Sequence, residues 1–324
     1  MSKARGQFVL AVDIGAGHVA AGLVSRSGKI LLAESMATLD PARPGSLIER
    51  LQALIGKLIA RAREEKLTLA GIGVGSPGIV NSDQGVVVAA GNLPELFGAR
   101  LGEIFSQAFD LPVFVENDVN ALALGEMLYG VAKGQKNFIV FALGTDLGGG
   151  VVLNGKLAPG ANFIAAEFGH LTLDLHGQKC VCGGVGCARE WVSGAGLAER
   201  ARERLPDHSQ AVSLAGKREQ VTAREVFQAA EQGDAAAQEL VEEFGRRFGA
   251  LVANVMKVLD PEVVVLGGEV CRAEPQLAGL VARWTRHYYF PIPKLPEFRL
   301  SRFSKATAIL GPAAAFWAAG RRRK

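Results

Sequence analysis

One local pattern occurs twice in this chain and constrains its fold most: a buried strand that ends in a glycine-rich turn and continues into a hairpin. The first copy runs through residues 8–13 (FVLAVD) to a turn at 15–17, and the second through 137–143 (NFIVFAL) to a turn at 144–150 (GTDLGGG). Uninterrupted apolar runs are typical of buried strands, and strands joined by so tight a turn pair antiparallel. The repeat therefore predicts two similar α/β halves.

Helices and further buried strands follow each hairpin. Apolar residues recur at helical spacing between positions 47 and 59, which predicts an amphipathic helix over 46–65. A strand at 69–74 then ends in the turn 75–78 (GSPG). Further helices are predicted at 101–109, 119–129 and 235–258, and further strands at 113–115 and 263–266. Because α/β folds place ligands at the carboxyl ends of parallel strands, the glycine turns predict a cleft between the halves.

Composition and charge narrow the class of protein. With 324 residues, 49% of them hydrophobic, the chain is long enough for two domains with sizeable cores. The formal net charge of +4 includes the run 321–324 (RRRK), which we interpret as a solvated tail because no basic stripe with interleaved aromatic residues accompanies it. No signal peptide and no run of bilayer length are apparent. We therefore expect a cytoplasmic protein without nucleic-acid or membrane partners.

A cluster of one histidine and three cysteines predicts a metal site. His170, Cys180, Cys182 and Cys187 form the pattern H-x9-C-x-C-x4-C, with glycines between the cysteines that permit a tight loop. Four nitrogen and sulfur ligands suit tetrahedral Zn²⁺, and a closed set of four is structural rather than catalytic. The alternative is three cysteines that simply pack in the core. Cys271, alone in an apolar context, is interpreted as a core residue.

The two glycine turns are candidate phosphate loops. Backbone N–H groups in such turns can hold phosphate oxygens, and an aspartate at a strand end can hold hydrated Mg²⁺. Either turn can equally be only a hairpin connection, and neither has the Lys-Ser/Thr pair of a Walker loop. The candidate phosphate-binding residues are Asp13, Gly15 and Gly17 in the first turn and Gly144, Thr145 and Gly148 in the second.

Asp118 is the candidate general base. It follows the predicted strand 113–115 in the sequence Glu116-Asn117-Asp118 and precedes a helix. In a kinase, a carboxylate there can accept the proton of the attacking hydroxyl, or it can be only the N-cap of the helix. The residues alone leave both interpretations open.

Taken together, these motifs resemble the ROK family (repressors, open reading frames and kinases) over nearly the whole chain. The matching blocks are AVDIGAGH, GIGVGSPGIV, GNLPE, VENDVNALALGE, FALGTDLGGGVVLNGKL, AAEFGHLTLD with CVCGGVGC, and VVVLGGEV. The resemblance implies an actin-like, hexokinase-type (ribonuclease H-like) α/β fold of two domains flanking a cleft. We expect residues 1–119 with 305–324 to form the smaller domain and residues 120–304 the larger one with the zinc loop.

The resemblance also implies an ATP-dependent sugar kinase, with a hexose 6-hydroxyl as nucleophile and Asp118 as base. It implies structural Zn²⁺, Mg²⁺ with ATP, and a homo-oligomer (dimer or tetramer). Sugar contacts are implied for Gly78, Asn92, Asn117, Asp118, Glu167, His170 and Glu190, with one ring nitrogen of His170 on zinc and the other toward the sugar. The second nucleotide block adds Gly267 and Gly268 to the ATP-binding residues.

Other functions of the same family remain open. These are an N-acylhexosamine kinase, acting on N-acetylglucosamine or N-acetylmannosamine, and a non-catalytic sugar-binding protein. A sugar-responsive regulator is disfavoured because only seven residues precede the first predicted strand, which leaves no room for a helix-turn-helix domain. The identity of the sugar, and ATP against polyphosphate as donor, are not fixed by the motifs, and we favour ATP.

Two departures from the family pattern bear on the site. Gly17 stands where the family usually has Thr, beside His18 where Lys is common, so a hydroxyl donor to phosphate is missing. Arg189 stands where Glu is usual, and Glu190 follows it. Either Glu190 reaches the sugar instead or one sugar contact is lost. Arg189 either faces a carboxylated or acylated substrate or, as the commoner outcome, lies on the surface.

Overall fold

The computed structural model describes residues 7–39, 45–91 and 93–322. Clustering of contacts divides them into two compact units. The first unit comprises the described residues up to Gly134, together with 156–165 and those from Phe303 onward, and the second comprises Gln135–Gly155 and Ala166–Arg302. The functional division into domains after residue 119 stays a prediction.

Both units are α/β. The strands are β1 (Gln7–Ile14), β2 (His18–Ser25), β3 (Ile30–Ala37), β4 (Thr68–Ser76), β5 (Ile79–Asn81), β6 (Val86–Ala89), β7 (Val113–Asn117), β8 (Phe138–Leu143), β9 (Leu147–Leu153), β10 (Lys156–Leu157), β11 (Val263–Gly267) and β12 (Glu297–Leu300). The helices are α1 (Leu47–Glu64), α2 (Leu101–Phe109), α3 (Asp118–Leu128), α4 (Gly194–Arg204), α5 (Gln210–Ala215), α6 (Ala223–Glu231), α7 (Ala235–Leu259), α8 (Gly268–Ala273), α9 (Leu277–Tyr288) and α10 (Leu310–Arg322).

The first unit is built on a sheet with strand order β3-β2-β1-β4-β7. Strand β1 pairs antiparallel with β2 and parallel with β4, which pairs parallel with β7. Alternate residues of β1 enter two different cores: Leu10 and Val12 pack with α1, whereas Val9 and Ala11 pack with residues at the start of α10. Both faces of the sheet are therefore covered, which explains the continuous apolar run of β1.

Helix α1 confirms the amphipathic helix predicted from its spacing. Ser46 caps it in a reciprocal capping box: the Glu49 N–H donates to Ser46 Oγ at 3.3 Å, and the Ser46 N–H donates to Glu49 Oε2 at 2.7 Å. Such a pair satisfies two of the N–H groups that a helix start leaves without partners. The buried face of α1, including Leu51 and Ile55, packs on the sheet.

In the second unit, strands pair in the order β9-β8-β11-β12. Strand β8 is antiparallel to β9 and parallel to β11, which is parallel to β12. The long helix α7 packs closely on α9, where a Cβ added at Gly249 would lie 2.4 Å from the Cβ of Trp284. A glycine is therefore needed for the two helices to approach each other so closely.

Several predicted boundaries were wrong, and two of them concern the second glycine turn and Asp118. The turn predicted at 144–150 ends at Asp146, because Gly148, Gly149 and Gly150 pair with β8 as part of β9. The helix predicted at 119–129 begins one residue earlier, at Asp118, and ends at Leu128. Within the described part of the chain, no helix has both the length and the apolar character needed to cross a bilayer.

Candidate functional site

The carboxyl ends of three parallel strands meet at one edge of the first sheet. Asp13 on β1 lies opposite Gly75 on β4, and Gly75 lies opposite Glu116 on β7. Ser76 lies opposite Asn117 one residue further on. This edge therefore gathers the candidate residues of the first turn and of the Glu116-Asn117-Asp118 segment, as the parallel topology requires.

Gly75 lies close to the carboxylate of Asp13 and to the backbone of Asp118. A Cβ added at Gly75 would lie 3.3 Å from Asp13 Oδ1 and 3.7 Å from the Cα of Asp118. Asp13 and the first residue of α3 thus approach the same glycine from two sides. The importance of Gly75 was missed at the sequence level, where it was interpreted only as part of the turn after β4.

The residue that caps α3 is Asn117, and Asp118 is the first residue of the helix. Asn117 Oδ1 accepts hydrogen bonds of 2.9 Å from the backbone N–H groups of Val119 and Asn120, and Asn117 Nδ2 donates to the Gly78 carbonyl oxygen at 2.9 Å. Asp118 Oδ1 also accepts from the Val119 N–H, at 2.9 Å. The interpretation of Asp118 as only an N-cap is therefore wrong, and its carboxylate lies at the helix end where the dipole stabilises negative charge.

Asp13 is an unusual carboxyl group. It is half-buried at the end of β1, and among the residues that the structure describes no hydrogen bond or ion pair engages its side chain. Desolvation by burial raises the pKa of Asp13 from 3.8 to about 6, because removal from water penalises the ionised form. A carboxylate held in this way attracts a cation.

The first glycine turn is held by backbone contacts and by Thr38. The Gly15 N–H donates to the His18 carbonyl oxygen at 3.0 Å, and Thr38 Oγ1 donates to the Gly15 carbonyl oxygen at 2.6 Å. The Thr38 N–H donates to the Gly17 carbonyl oxygen at 3.2 Å. No atom lies within 4 Å of a Cβ built on Gly17, so the position where the family usually has Thr is open.

The second glycine turn adjoins the ends of β11 and α4. The Gly144 N–H donates to the Asp146 carbonyl oxygen at 2.9 Å, which closes the turn. The N–H groups of Gly194 and Ala195, at the start of α4, donate to the carbonyl oxygens of Gly144 and Thr145 at 2.8 and 3.1 Å. These contacts fix the turn that the sequence predicts as a phosphate loop, whereas Gly148 lies within β9 opposite Ala142.

Gly267 and Gly268 lie beside that turn. Gly267 ends β11 opposite Ala142 of β8, and Gly268 begins α8. Gly268 has a φ of +90°, and a Cβ there would lie 2.2 Å from the Leu143 carbonyl oxygen. Only glycine fits this left-handed, crowded position. The second unit therefore brings together Gly144, Thr145, Gly267 and Gly268, with a helix N-terminus that favours anions.

The four predicted metal ligands converge. One ligand atom from each of His170, Cys180, Cys182 and Cys187 lies within 4.8 Å of all the others. The separations include 3.7 Å between Cys180 Sγ and His170 Nδ1 and 3.5 Å between Cys182 Sγ and Cys187 Sγ. Metal–ligand bonds of about 2.0 to 2.3 Å in a tetrahedron place the ligand atoms about 3.3 to 3.8 Å apart, so the donor set fits Zn²⁺.

Glu167 lies just before this cluster. The His170 N–H donates to the Glu167 carbonyl oxygen at 2.9 Å in a short 3-10 turn. Burial raises the pKa of the Glu167 carboxyl, an effect that the charge of His170 opposes and that of Asp146 reinforces. The backbone turn therefore holds the Glu167 carboxylate, on a residue that is exposed overall, next to the imidazole that is predicted to serve both metal and sugar.

The Arg189 side chain points inward, whereas a position on the surface was the commoner outcome expected from the sequence. This side chain is 19% exposed, and its Nε donates to Asp146 Oδ1 at 2.8 Å. Arg189 Nη1 donates to Glu190 Oε1, and Gln178 Nε2 donates to Glu190 Oε2, both at 3.3 Å. Both oxygens of Glu190 thus accept hydrogen bonds within the second unit. Sequence reasoning passed over Asp146, although it stands inside the motif GTDLGGG.

The predicted residues fall into two sets. Asp13, Gly15, Gly17, Gly78, Asn117 and Asp118 belong to the first unit, and Gly144, Thr145, Gly148, Glu167, His170, Glu190, Gly267, Gly268 and the three cysteines belong to the second. The predicted sugar ligand Asn92 lies outside the described residues.

Comparison with known proteins identifies the family of this chain. The ROK family model matches residues 9–319. A glucokinase of Halalkalibacterium halodurans is 31% identical over 312 residues, which cover 94% of this chain and 93% of that protein. An N-acetylmannosamine kinase of Escherichia coli is 34% identical over 270 residues, which cover 83% of this chain and 85% of that protein.

A solved structure of a ROK family glucokinase from Streptomyces griseus, in complex with glucose and AMPPNP, superposes with a TM-score of 0.79 at 29% identity. The superposition covers 94% of this chain and 98% of the chain of that glucokinase. The predicted fold class, an α/β fold of the actin-like, hexokinase type, is confirmed. Since the family model spans nearly the whole sequence, the chain belongs to the ROK family.

Proposed function

We propose that this protein transfers the γ-phosphoryl group of ATP to the 6-hydroxyl of a hexose. The observation that carries the proposal is the position of Asp118 at the first residue of α3, on the sheet edge that it shares with Asp13. The N-cap residue is Asn117, and the Asp118 carboxylate only shares the Val119 N–H with it. The kinases among its relatives support the same chemistry.

Asp118 acts as the general base. As the sugar O6 attacks the γ-phosphorus, its proton passes to the Asp118 carboxylate, the O6–P bond forms, and the bond from the γ-phosphorus to the bridging oxygen breaks. ADP leaves with the electron pair of that bond. Positioning and charge neutralisation supply most of the rate in phosphoryl transfer, and a placed base contributes about 10²- to 10⁴-fold.

The nucleotide is held by the glycine turns. N–H groups around Gly144, Thr145 and Gly148 bind its phosphates, with Gly267 and Gly268 beside the nucleoside. Asp13, whose carboxylate has no protein partner among the described residues, holds the hydrated Mg²⁺ of Mg-ATP, and Gly15 and Gly17 line the same turn. Bound Mg²⁺ supplies neutralisation of the phosphate charge.

Several of the proposed sugar-binding side chains have a donor or an acceptor left to offer. Asn117 already donates one hydrogen bond to Gly78, and its amide has a second N–H to offer. His170 presents Nδ1 to the cysteine cluster, which leaves Nε2 for a sugar hydroxyl, and Glu167 accepts from another. A structural Zn²⁺ on the four ligands orients the imidazole. Gly78, Asn92 and Glu190 complete the proposed sugar contacts.

The test is an ADP-release assay with Mg-ATP and a panel of hexoses. The panel contains glucose, mannose, fructose, N-acetylglucosamine and N-acetylmannosamine, with polyphosphate as an alternative donor. We expect turnover with at least one hexose, and D118N to lower kcat by at least about 100-fold while the melting temperature and zinc content stay unchanged.

A matched control is D207N, which also removes one carboxylate. Asp207 is fully exposed and pairs with Arg218, so its loss should leave kcat within about twofold because exposed ion pairs contribute little. Undiminished turnover by D118N would refute its role as base. No ADP release with any member of the panel would favour a non-catalytic sugar-binding protein.

An N-acylhexosamine is the second candidate substrate. The 34% identity to an N-acetylmannosamine kinase favours it, and a higher kcat/KM for either N-acetyl sugar than for glucose in the same panel would establish it. We also propose a homodimer or homotetramer, which light scattering on the purified protein would test.

A further inference from the structure

Arg189 connects two parts of the second unit that the sequence treats as separate sites. It lies two residues after the metal ligand Cys187 and reaches Asp146 in the glycine turn. Its Nη1 also donates to Glu190 Oε1 at 3.3 Å. The guanidinium group is therefore held by carboxylates from the segment after the metal loop and from the phosphate loop.

Asp146 is the residue that shapes the glycine turn. Its carbonyl oxygen accepts the Gly144 N–H at 2.9 Å, and its Oδ1 accepts the Leu147 N–H at 2.8 Å. The bond from Arg189 Nε reaches that same Oδ1. The side chain of Asp146 is 43% exposed, and these hydrogen bonds hold it in its rotamer. Loss of the guanidinium group would free the turn to move.

The backbone near Arg189 holds the same turn by a second route. Ser193 Oγ donates to the Arg189 carbonyl oxygen at 2.7 Å and accepts the Gly196 N–H at 2.9 Å, which caps α4. The first residues of that helix donate to the carbonyl oxygens of Gly144 and Thr145. Side chain and backbone of one segment therefore fix both ends of the phosphate loop.

The other end of the segment is tied to the metal loop. Cys187 forms an antiparallel bridge with Thr172, and the Ala188 N–H donates to the Leu171 carbonyl oxygen at 2.8 Å. Both partners follow His170 directly in sequence. The position of the backbone at Arg189 therefore depends on the loop of the four metal ligands, and the guanidinium group contacts Asp146 from that position.

We infer that Arg189 is a positioning residue for the nucleotide, which couples the metal-binding loop to the phosphate loop through Asp146. The inference rests on the proposed function, because it requires that the glycine turn binds the phosphates of ATP. It assigns to the metal loop an effect on nucleotide affinity besides its effect on the sugar. A glutamate, usual at this position in the family, would instead add a third carboxylate beside Asp146 and Glu190.

The test compares R189M with wild type by calorimetric titration with Mg-AMPPNP and, separately, with the best sugar of the panel. Methionine keeps the length and removes the donors. We expect the Kd for Mg-AMPPNP to rise about tenfold, because a charge-assisted hydrogen bond at a partly buried site is lost. The Kd for sugar should rise less than about threefold. The zinc content should stay that of wild type.

The control is R204M, which removes an arginine from the same unit. Arg204 pairs with Glu243 at 2.5 Å and has no contact with the turn. This variant should leave both Kd values within about twofold, because partly exposed pairs contribute little to function elsewhere. If R189M does not fold, R189K takes its place, with a smaller rise in the nucleotide Kd, since its ammonium group keeps the charge without the guanidinium geometry.

A double-mutant cycle with D146N separates positioning from general destabilisation. If Arg189 acts through Asp146, the double variant binds Mg-AMPPNP no more weakly than R189M alone. Three outcomes would each overturn the inference: additive losses in the double variant, an unchanged nucleotide Kd in R189M, or loss of zinc from R189M. The proposed function would still stand in each case if the wild-type protein binds Mg-AMPPNP. A wild-type protein that does not bind Mg-AMPPNP would overturn both.

Discussion

Replacement of Asp13 by asparagine should stabilise the protein without ligands, and the gain should depend on pH. Burial raises the pKa of Asp13 from 3.8 to about 6, a shift of about two units, each equivalent to about 1.4 kcal/mol. Because the residue is half-buried and water reaches part of it, we discount the product to about 1–2 kcal/mol. The free energy of unfolding is lower by that amount whenever the Asp13 carboxyl is ionised.

The sign of the pH dependence follows from the direction of the shift. Between pH 4 and 6 the folded state binds more protons than the unfolded chain, so the penalty grows as the pH rises through this window and is complete above about pH 6. D13N removes the penalty. Its stability advantage over wild type should therefore be near zero at pH 4 and reach about 1–2 kcal/mol at pH 8.

Urea unfolding of D13N and wild type at pH 4, 6 and 8, with the two proteins compared at the same pH and the same metal content, measures this difference. The control is D83N, which neutralises an exposed aspartate between β5 and β6 and should show no gain with pH. A D13N variant that is less stable than wild type at pH 8, or equally stabilised at pH 4 and pH 8, would refute the reasoning. The same variant should bind Mg-ATP more weakly, because the cation loses its carboxylate.

Two further predictions concern the metal and the glycines. Atomic emission should find about one zinc per chain in the wild type and less in H170A. Chelation should lower the melting temperature, because a closed metal site contributes its binding free energy to folding. An unchanged melting temperature after chelation would contradict a structural metal. G268A should lower the free energy of unfolding by at least about 2 kcal/mol, because position 268 has a φ of +90° and the added Cβ would lie 2.2 Å from the Leu143 carbonyl oxygen. G17T should leave the denaturation midpoint unchanged, because the space around position 17 is open.

The strands and the ligand cluster of this chain were predictable because their signals are local. A continuous apolar run marks β1 and β8 irrespective of what covers them, and the spacing of His170 and the three cysteines predicts their convergence without knowledge of the loop path. Both outcomes agree with the structure. In each case the chemistry of the residue type leaves few alternatives.

The misjudged features depend on contacts between segments distant in sequence. Gly148, Gly149 and Gly150 have no strand propensity of their own, and they enter β9 because β8 offers its backbone as a partner. Arg189 was expected on the surface because arginine usually is, but Asp146, 43 residues earlier, supplies the partner that makes burial tolerable. Asn117 and Asp118 are both good caps, and only the helix geometry decides between them.

A raised carboxyl pKa does not by itself locate the active site of this kinase family member. Burial raises the pKa of Glu274 as well as those of Asp13 and Glu167. Besides burial, the nearby charge of Glu231 raises the pKa of Glu274, whereas the hydrogen bond from Gln276 lowers it, and Glu274 lies next to none of the candidate site residues that the structure describes. Asp13 and Glu167, in contrast, lie beside a glycine turn and a metal cluster respectively. The protein tolerates two destabilised carboxylates where ligand cations and hydroxyls would satisfy them, which is where function conflicts with stability.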